Sequence, residues 1–412
     1  MNTLRIILSP SSTDVVYAGI AVATGTRHEL DTESGMAHLV EHMTFKGTNH
    51  LSSTQILNRI ESVGGDLNAY TGKEETIYYA TFLRQHLHRA LPLLMDIVFD
   101  STYPQAELEK EVEVVIDEIE SYNDSPAELI YDDFESLLFP EHPLGRNILG
   151  NADRLRQYRS EDLQHFVQRT YSPERAVMFV KGNVSMTDVK KAFQGKDWSL
   201  QPTDNIPSAH TQQTVIIPQE KRGEASTIII HKPVHQAHVM LGARAYAATD
   251  PRYYGLFLLN NLLGGPAMNS RLSLVLRERT GLVYTVESAV TAYTDTGVWS
   301  VYFGCDPEDV RRCLHLVHHE LRRLVDAPLG PRALAAAKQQ LIGQIGISYD
   351  HFENVALSTA KRFLHDGYYR SPEEIIHSIE ELTAESLQAI AAEVLEPENL
   401  TTLIYQPEET HK

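Results

Sequence analysis

The sequence predicts an α+β fold: two homologous domains, each a mixed, largely antiparallel sheet packed with helices, related by internal duplication. Three observations predict it. Strand-like and helix-like segments follow one another in the same order in both halves, short words recur at nearly fixed spacing, and 42% hydrophobic residues over 412 positions suffice for full cores.

Taken in order, residues 4–8 read as an opening strand, and the first half continues as strand, helix, helix, two strands, several helices and a closing strand. Ala69-Tyr70-Thr71 recurs as Ala292-Tyr293-Thr294, an offset of 223. The β-branched and aromatic run 77–82 has a counterpart at 298–303, and each is followed by an amphipathic helical stretch. Leu163-Gln164 and Pro173-Glu174 match Leu387-Gln388 and Pro397-Glu398 at an offset of 224, each set leading into an apolar strand. Pro202, Pro207 and Pro218 among polar residues mark a linker. The expected division is therefore 1–200, a linker at 201–224, and 225–412.

Composition narrows the function. Lys+Arg 36 against Asp+Glu 55 gives a net charge of −19, which repels nucleic acid and acidic membranes and favours a basic or neutral partner. The two cysteines, Cys305 and Cys313, form no disulfide framework, so a reducing, cytoplasmic setting is expected. No window approaches the roughly 18 apolar residues of a membrane span.

The strongest local signal is His38-Leu39-Val40-Glu41-His42, in a stretch 34–46 that reads as helix with Ser34 as its N-cap. His38 and His42 lie one turn apart on one face, the spacing at which two imidazoles of one helix meet a tetrahedral metal, and Glu41 is left to act on water. A surface helix with two unrelated histidines is the competing reading. A second helix, opened by Pro104, is rich in carboxylates, most of them a solvated face. Glu111 and Glu118 lie seven apart on one face beside Val114 and Val115, which point towards packing, so one could bind metal and the other support it.

With Gly35-Met36-Ala37 before the motif, Gly64-Gly65-Asp66-Leu67-Asn68-Ala69-Tyr70-Thr71 after it, and a glutamate 76 residues beyond the second histidine, the chain resembles the pitrilysin/insulinase family of HxxEH zinc metallopeptidases. In length it is similar to the mitochondrial-processing-peptidase branch and its bacterial relatives. The resemblance implies one Zn2+ per chain held by His38, His42 and Glu118, with Glu41 as general base and Glu111 orienting a ligating imidazole or assisting proton transfer. It places Asn68 and Ala69 against an added peptide strand and Phe45 in a side-chain pocket. In the second half, Arg277 and Tyr284, seven apart, resemble the family's pair that holds substrate backbone and stabilises the oxyanion, and 264–271 resembles its glycine-rich loop. At the duplicated metal position stand Leu258, Asn261 and Leu262, which bind no metal.

These resemblances imply a zinc-dependent endopeptidase cleaving unstructured peptides in a chamber between two facing halves. With metal set and Arg/Tyr pair on one chain, they favour a homodimer. The alternative is a non-cleaving peptide-binding or scaffold subunit of a heterodimeric complex, for which Glu41 is the discriminating residue.

Overall fold

The computed structural model describes residues 2–194, 198–203 and 226–408. The first half runs β1 (Asn2–Pro10), β2 (Val15–Val22), α1 (Met36–Thr44), α2 (Ser53–Glu61), β3 (Asp66–Thr71), β4 (Thr76–Leu83), α3 (Leu87–Phe99), α4 (Gln105–Asn123), α5 (Pro126–Leu138), α6 (Ala152–Leu155), α7 (Ser160–Thr170), β5 (Ala176–Gly182), α8 (Met186–Ala192) and β6 (Trp198–Pro202). The second runs β7 (Thr227–Lys232), β8 (Ala237–Ala245), α9 (Tyr253–Gly264), β9 (Val283–Ala292), β10 (Gly297–Cys305), α10 (Val310–Val325), α11 (Pro331–Ser348), α12 (Phe352–Asp366), α13 (Pro372–Glu380), α14 (Ala384–Val394) and β11 (Thr401–Pro407).

The sheets share one plan. The first has the order β3-β4-β2-β5-β1-β6, and the second, taken from its β9 edge, β9-β10-β8-β11-β7. In each, the hairpin at one edge and the next two pairings are antiparallel, and a parallel pair follows (β5 with β1, β11 with β7). The repeated words fall on equivalent hairpins, β3–β4 and β9–β10, and on the equivalent helices α7 and α14 and the turns at 173–175 and 397–399 that lead into the closing strands β5 and β11. These sheets are mixed and largely antiparallel, as the sequence predicts. Residues 198–202, where the linker was expected to begin, form β6, a parallel edge strand whose final Pro202 needs no ladder donor. The rest of the expected linker, 204–224, lies outside the described residues.

The first sheet is buried on both faces, which explains why its strands read as near-continuous apolar runs. Ile6, Ile20, Tyr78 and Met178 point into a core with α1 and α3, and α3 contributes Ala90, Leu91, Leu94 and Val98. Their neighbours in sequence, Ile7, Ala21, Ile77 and Val177, point to the opposite face, as the two-residue repeat of a strand requires. That face is covered by α12, through Ala356, Ala360, Phe363 and Leu364 at helical spacing.

This covering helix comes from the second half of the sequence, so the compact units are not the contiguous stretches 1–200 and 225–412. One unit comprises the described parts of Met1–Ser121, Glu141–Thr211 and Tyr349–Tyr369, and the other those of Tyr122–Pro140, Gln212–Ser348 and Arg370–Lys412. The second unit correspondingly includes α5, from the first half, packed on β8 and β11. The cause is physical: an apolar stripe fixes which face a helix buries, not which sheet it buries it against. Among the described residues, no helix is long and apolar enough to cross a membrane.

Candidate metal centre

The site begins with how α1 is started and held. Met36, Ala37, Leu39, Val40 and Met43 are buried, which turns the polar positions of the helix to its remaining face. Its N-cap is Gly35 at φ 79°, not Ser34, and no side chain of the cap residue serves it. A Cβ at Gly35 would meet the Leu149 carbonyl oxygen at 2.7 Å, so both backbone angle and space require glycine. The orphan amides are taken up from a distance: Glu29 Oε1 accepts from Ala37 N at 2.9 Å and Oε2 from Gly35 N at 3.3 Å. Burial of Glu29 pushes its carboxyl up to about 8, against the pull of those two amides.

On α4, Leu108, Glu111, Val112 and Val115 are buried at helical spacing, so this face turns inward, while Val114 is half exposed and points away from the packing expected for it. The same face carries Glu118 into reach of α1. His42 Nε2 lies 3.5 Å from Glu118 Oε2, and His38 Nε2 lies 3.8 Å from Glu118 Oε1. One ligand atom from each of His38, His42 and Glu118 falls within 4.8 Å of the others. A tetrahedral ion with bonds of about 2.1 Å spaces its ligand atoms about 3.4 Å apart, so this set fits zinc after small side-chain adjustments. Burial, with the neighbouring His42 adding to it, pushes His38 down to about 3 and keeps its imidazole neutral, the form that donates a lone pair to a metal. His38 Nδ1 is buried without a hydrogen-bond partner among the described residues.

The second imidazole is held from behind. His42 Nδ1 is 3.0 Å from Glu111 Oε1, and Lys46 Nζ, one turn further along, is 2.5 Å from Glu111 Oε2. Burial opposes the charge on Glu111, but the hydrogen bonds from His42 and Lys46 outweigh it and hold the carboxyl below its ordinary range. A charged Glu111 accepts the proton on Nδ1, which leaves the Nε2 lone pair facing Glu118. For His42 itself, burial pulls the pKa down, while the bond to Glu111 and the charges of Glu41 and Glu118 together raise it.

Glu41 occupies the third polar position of α1. Its Oε2 accepts a hydrogen bond of 2.5 Å from Thr71 Oγ1 at the end of β3. Burial raises Glu41 above the ordinary carboxylate value, the Thr71 bond and His42 opposing and Glu118 adding. The structure thus brings His38, Glu41, His42, Glu111 and Glu118 into one cluster and adds Lys46 and Thr71, which sequence reasoning missed. Lys46 sat four residues after His42, the spacing of one helical turn, and that was the available signal. Nothing in the sequence tied Thr71 to Glu41.

The remaining sequence candidates lie as follows. Asn68 is exposed and Ala69 half-buried on β3, the edge strand of its sheet, with Ala69 N donating to Asn68 Oδ1 at 2.9 Å. Phe45 packs on the core with its ring 6.2 Å from that of Tyr78. In the second unit, Arg277 lies in a π-helical turn, Ser273–Glu278, where Nε donates to Glu278 and Nη2 is buried without a partner among the described residues. Tyr284 on β9 is 88% exposed. Asn261, Arg277 and the loop 264–268 line a cavity of about 510 Å³ within that unit.

Comparison with known proteins identifies the family. The profile described as Insulinase (Peptidase family M16) matches residues 5–152, and that of the Peptidase M16 inactive domain matches 158–341. A protein of Bacillus subtilis named an uncharacterized zinc protease is 31% identical over 98% of this chain and 96% of its own. The chain belongs to the M16 (insulinase) peptidase family. A second relative, an uncharacterized zinc protease of Streptomyces coelicolor, is 31% identical over 95% of this chain and 85% of its own. Among solved structures, a Helicobacter pylori protease superposes with a TM-score of 0.85 at 22% identity, covering 98% of this chain and 96% of that one. An M16 inactive-domain protein of Pseudomonas fluorescens gives 0.83 at 20%, over 99% and 96%. These two likenesses are of fold. The matched inactive-domain profile includes the stretch in which Leu258, Asn261 and Leu262 replace the motif, and zinc, the metal of this family, suits the two-nitrogen, one-carboxylate donor set of the first half.

Proposed function

We propose that this M16 member is a zinc-dependent endopeptidase that cleaves unstructured peptides, with His38, His42 and Glu118 as the metal's ligands and Glu41 as general base. The observation that carries the reading is the convergence of those three donors with a buried, hydrogen-bonded carboxylate beside them. When bound, zinc supplies a Lewis acid that polarises the scissile carbonyl and acidifies water. The side chains of the protein do the rest. Glu41, raised by burial, accepts a proton from the attacking water and returns it to the leaving amine, a role that requires a carboxylate able to hold a proton between the two steps. Glu111, fixed by Lys46, holds His42 in one tautomer and orientation.

The outer edge of β3, unpaired among the described residues, gives a peptide a backbone ladder to join, and an extended, unfolded segment is the form that can join it. Arg277 and Tyr284 are the second unit's candidates for holding the substrate backbone and the oxyanion. The net charge of −19 favours basic peptides. A homodimer, in which each chain carries both the metal set and the Arg/Tyr pair, is the assembly proposed, checked by light scattering of the purified protein.

The test of the activity is cleavage of an unstructured peptide before and after metal removal by a chelator. Cleavage that stops on chelation and returns with stoichiometric zinc is expected. Cleavage that persists in the metal-free protein overturns the reading.

A further inference from the structure

We infer that Thr71 is the positioning residue for Glu41: its hydroxyl holds one carboxylate oxygen and thereby fixes where the other points. The inference rests on the peptidase reading for its kinetic consequence and on geometry for the contact itself.

Thr71 Oγ1 has one proton, and the structure shows where it goes. The nearest acceptors are Glu41 Oε2 at 2.5 Å and Thr76 Oγ1 at 3.4 Å. Thr76 gives its own proton to the Thr24 carbonyl at 2.8 Å, so it does not donate back to Thr71. A carboxylate at the shorter distance is the stronger acceptor, and the proton of Thr71 is directed to Glu41. Once Oε1 of Glu41 takes up a proton, Oε2 becomes the carbonyl oxygen of the acid and still accepts from the same hydroxyl. The contact therefore survives both protonation states that a general base must visit, which a cationic partner would resist by holding the charged form.

The hydroxyl is itself held rigidly. Thr71 and Thr76 are the last register pair of the β3–β4 hairpin, closed by Gly72 N donating to Glu75 O at 2.7 Å. The Glu75 side chain, 2% exposed, is clamped by Lys361 Nζ at 2.6 Å and His365 Nε2 at 3.1 Å, both on α12. The tip of the hairpin is thus pinned to the helix beneath the sheet, and Thr71 is presented to α1 from a fixed support. Because Thr71 lies on the strand whose edge a peptide would join, the residue that aims the base sits two positions from Ala69.

The test compares the full-length zinc-loaded wild type with Thr71→Val, which keeps the branched shape but not the hydroxyl, and Thr71→Ser, which keeps the hydroxyl. For Thr71→Val, kcat on an unstructured peptide is expected to fall about 10- to 100-fold with KM within about two-fold, the range for loss of a supporting hydrogen bond at a metal site. Zinc content is expected to be unchanged, and Thr71→Ser to recover most of kcat. A Thr71→Val enzyme with wild-type kcat overturns the inference, and so does a loss that Ser fails to rescue. Crystal structures of the zinc-loaded wild type and Thr71→Val separate this from the peptidase reading. If the wild type does not cleave, that reading fails, and the positioning claim is then decided by whether Glu41 leaves its place in Thr71→Val. A carboxylate that stays in place refutes it.

Discussion

The α1 and α9 helices occupy equivalent places in two sheets of the same plan, yet one carries a metal-ligating set and the other does not. Where α1 has His38, Glu41 and His42, α9 has Leu258, Asn261 and Leu262, with Leu258 and Asn261 buried. The long helices that follow differ in the same sense. α4 presents Glu111 and Glu118 towards α1, whereas α11, the corresponding helix, contains no acidic residue at all. The fold is thus carried by features the halves share, alternating strands and helices with an apolar stripe. The candidate metal cluster and the carboxylates beside it are five side chains on two helices, which the second half lacks without losing its architecture. That separation is the expected consequence of domains built on apolar burial, in which polar site residues add little to the core.

The largest expected effect breaks the first region alone. Glu118→Gln removes the proposed carboxylate ligand from α4 and is expected to abolish tight zinc binding and peptidase activity together, while the thermal unfolding temperature of the metal-free protein stays within a few degrees. Metal content by atomic absorption, activity and calorimetry check it. A variant that unfolds would show that the carboxylate holds the fold.

A graft in the opposite direction sharpens the comparison. The pair Leu258→His and Leu262→His restores two imidazoles one turn apart on α9, but with no carboxylate on α11 no tight zinc site is expected. Replacing the fully buried Leu258 should cost on the order of 2–5 kcal/mol, read by denaturant unfolding. Tight zinc binding by the graft would show that histidine spacing alone makes the site.

A smaller effect concerns the support shared by hairpin and α12. Burial opposes the charge on Glu75, but its bonds to His365 and Lys361 outweigh it and lower the pKa below the ordinary 4.5. A depressed acid stabilises the fold above its unfolded-state pKa, and that contribution disappears as pH falls through the lower folded value. Wild-type stability should therefore decline below about pH 4.5, and Glu75→Gln should remove this part of the decline at a cost of about 1–2 kcal/mol near neutrality. Equal pH dependence in wild type and variant would contradict the assignment.

Much of this was legible in the sequence, for identifiable reasons. The duplication survived as words on equivalent elements, and the HxxEH spacing together with Glu111 and Glu118 marked faces of two helices, because helical periodicity is a local property. What was not legible depended on contacts across long sequence separations. Glu29 caps α1 in place of the expected Ser34, since an amide can be satisfied from anywhere in the fold. Thr71 reaches Glu41 across 30 positions, and α5 and α12 dock on the sheets of the opposite sequence halves. Val114, read as packing, is half exposed because its neighbour Val115 occupies the inward position.

The central claim, that Glu41 and the metal cluster make this chain a peptidase, is tested most directly by comparing wild type with Glu41→Gln at equal zinc content on a library of unstructured peptides, with products read by mass spectrometry. The expected result is discrete cleavage by the wild type and none by the variant, with the cut sites defining the preference. Equal cleavage by both, or intact peptides with both proteins fully zinc-loaded, would contradict the account.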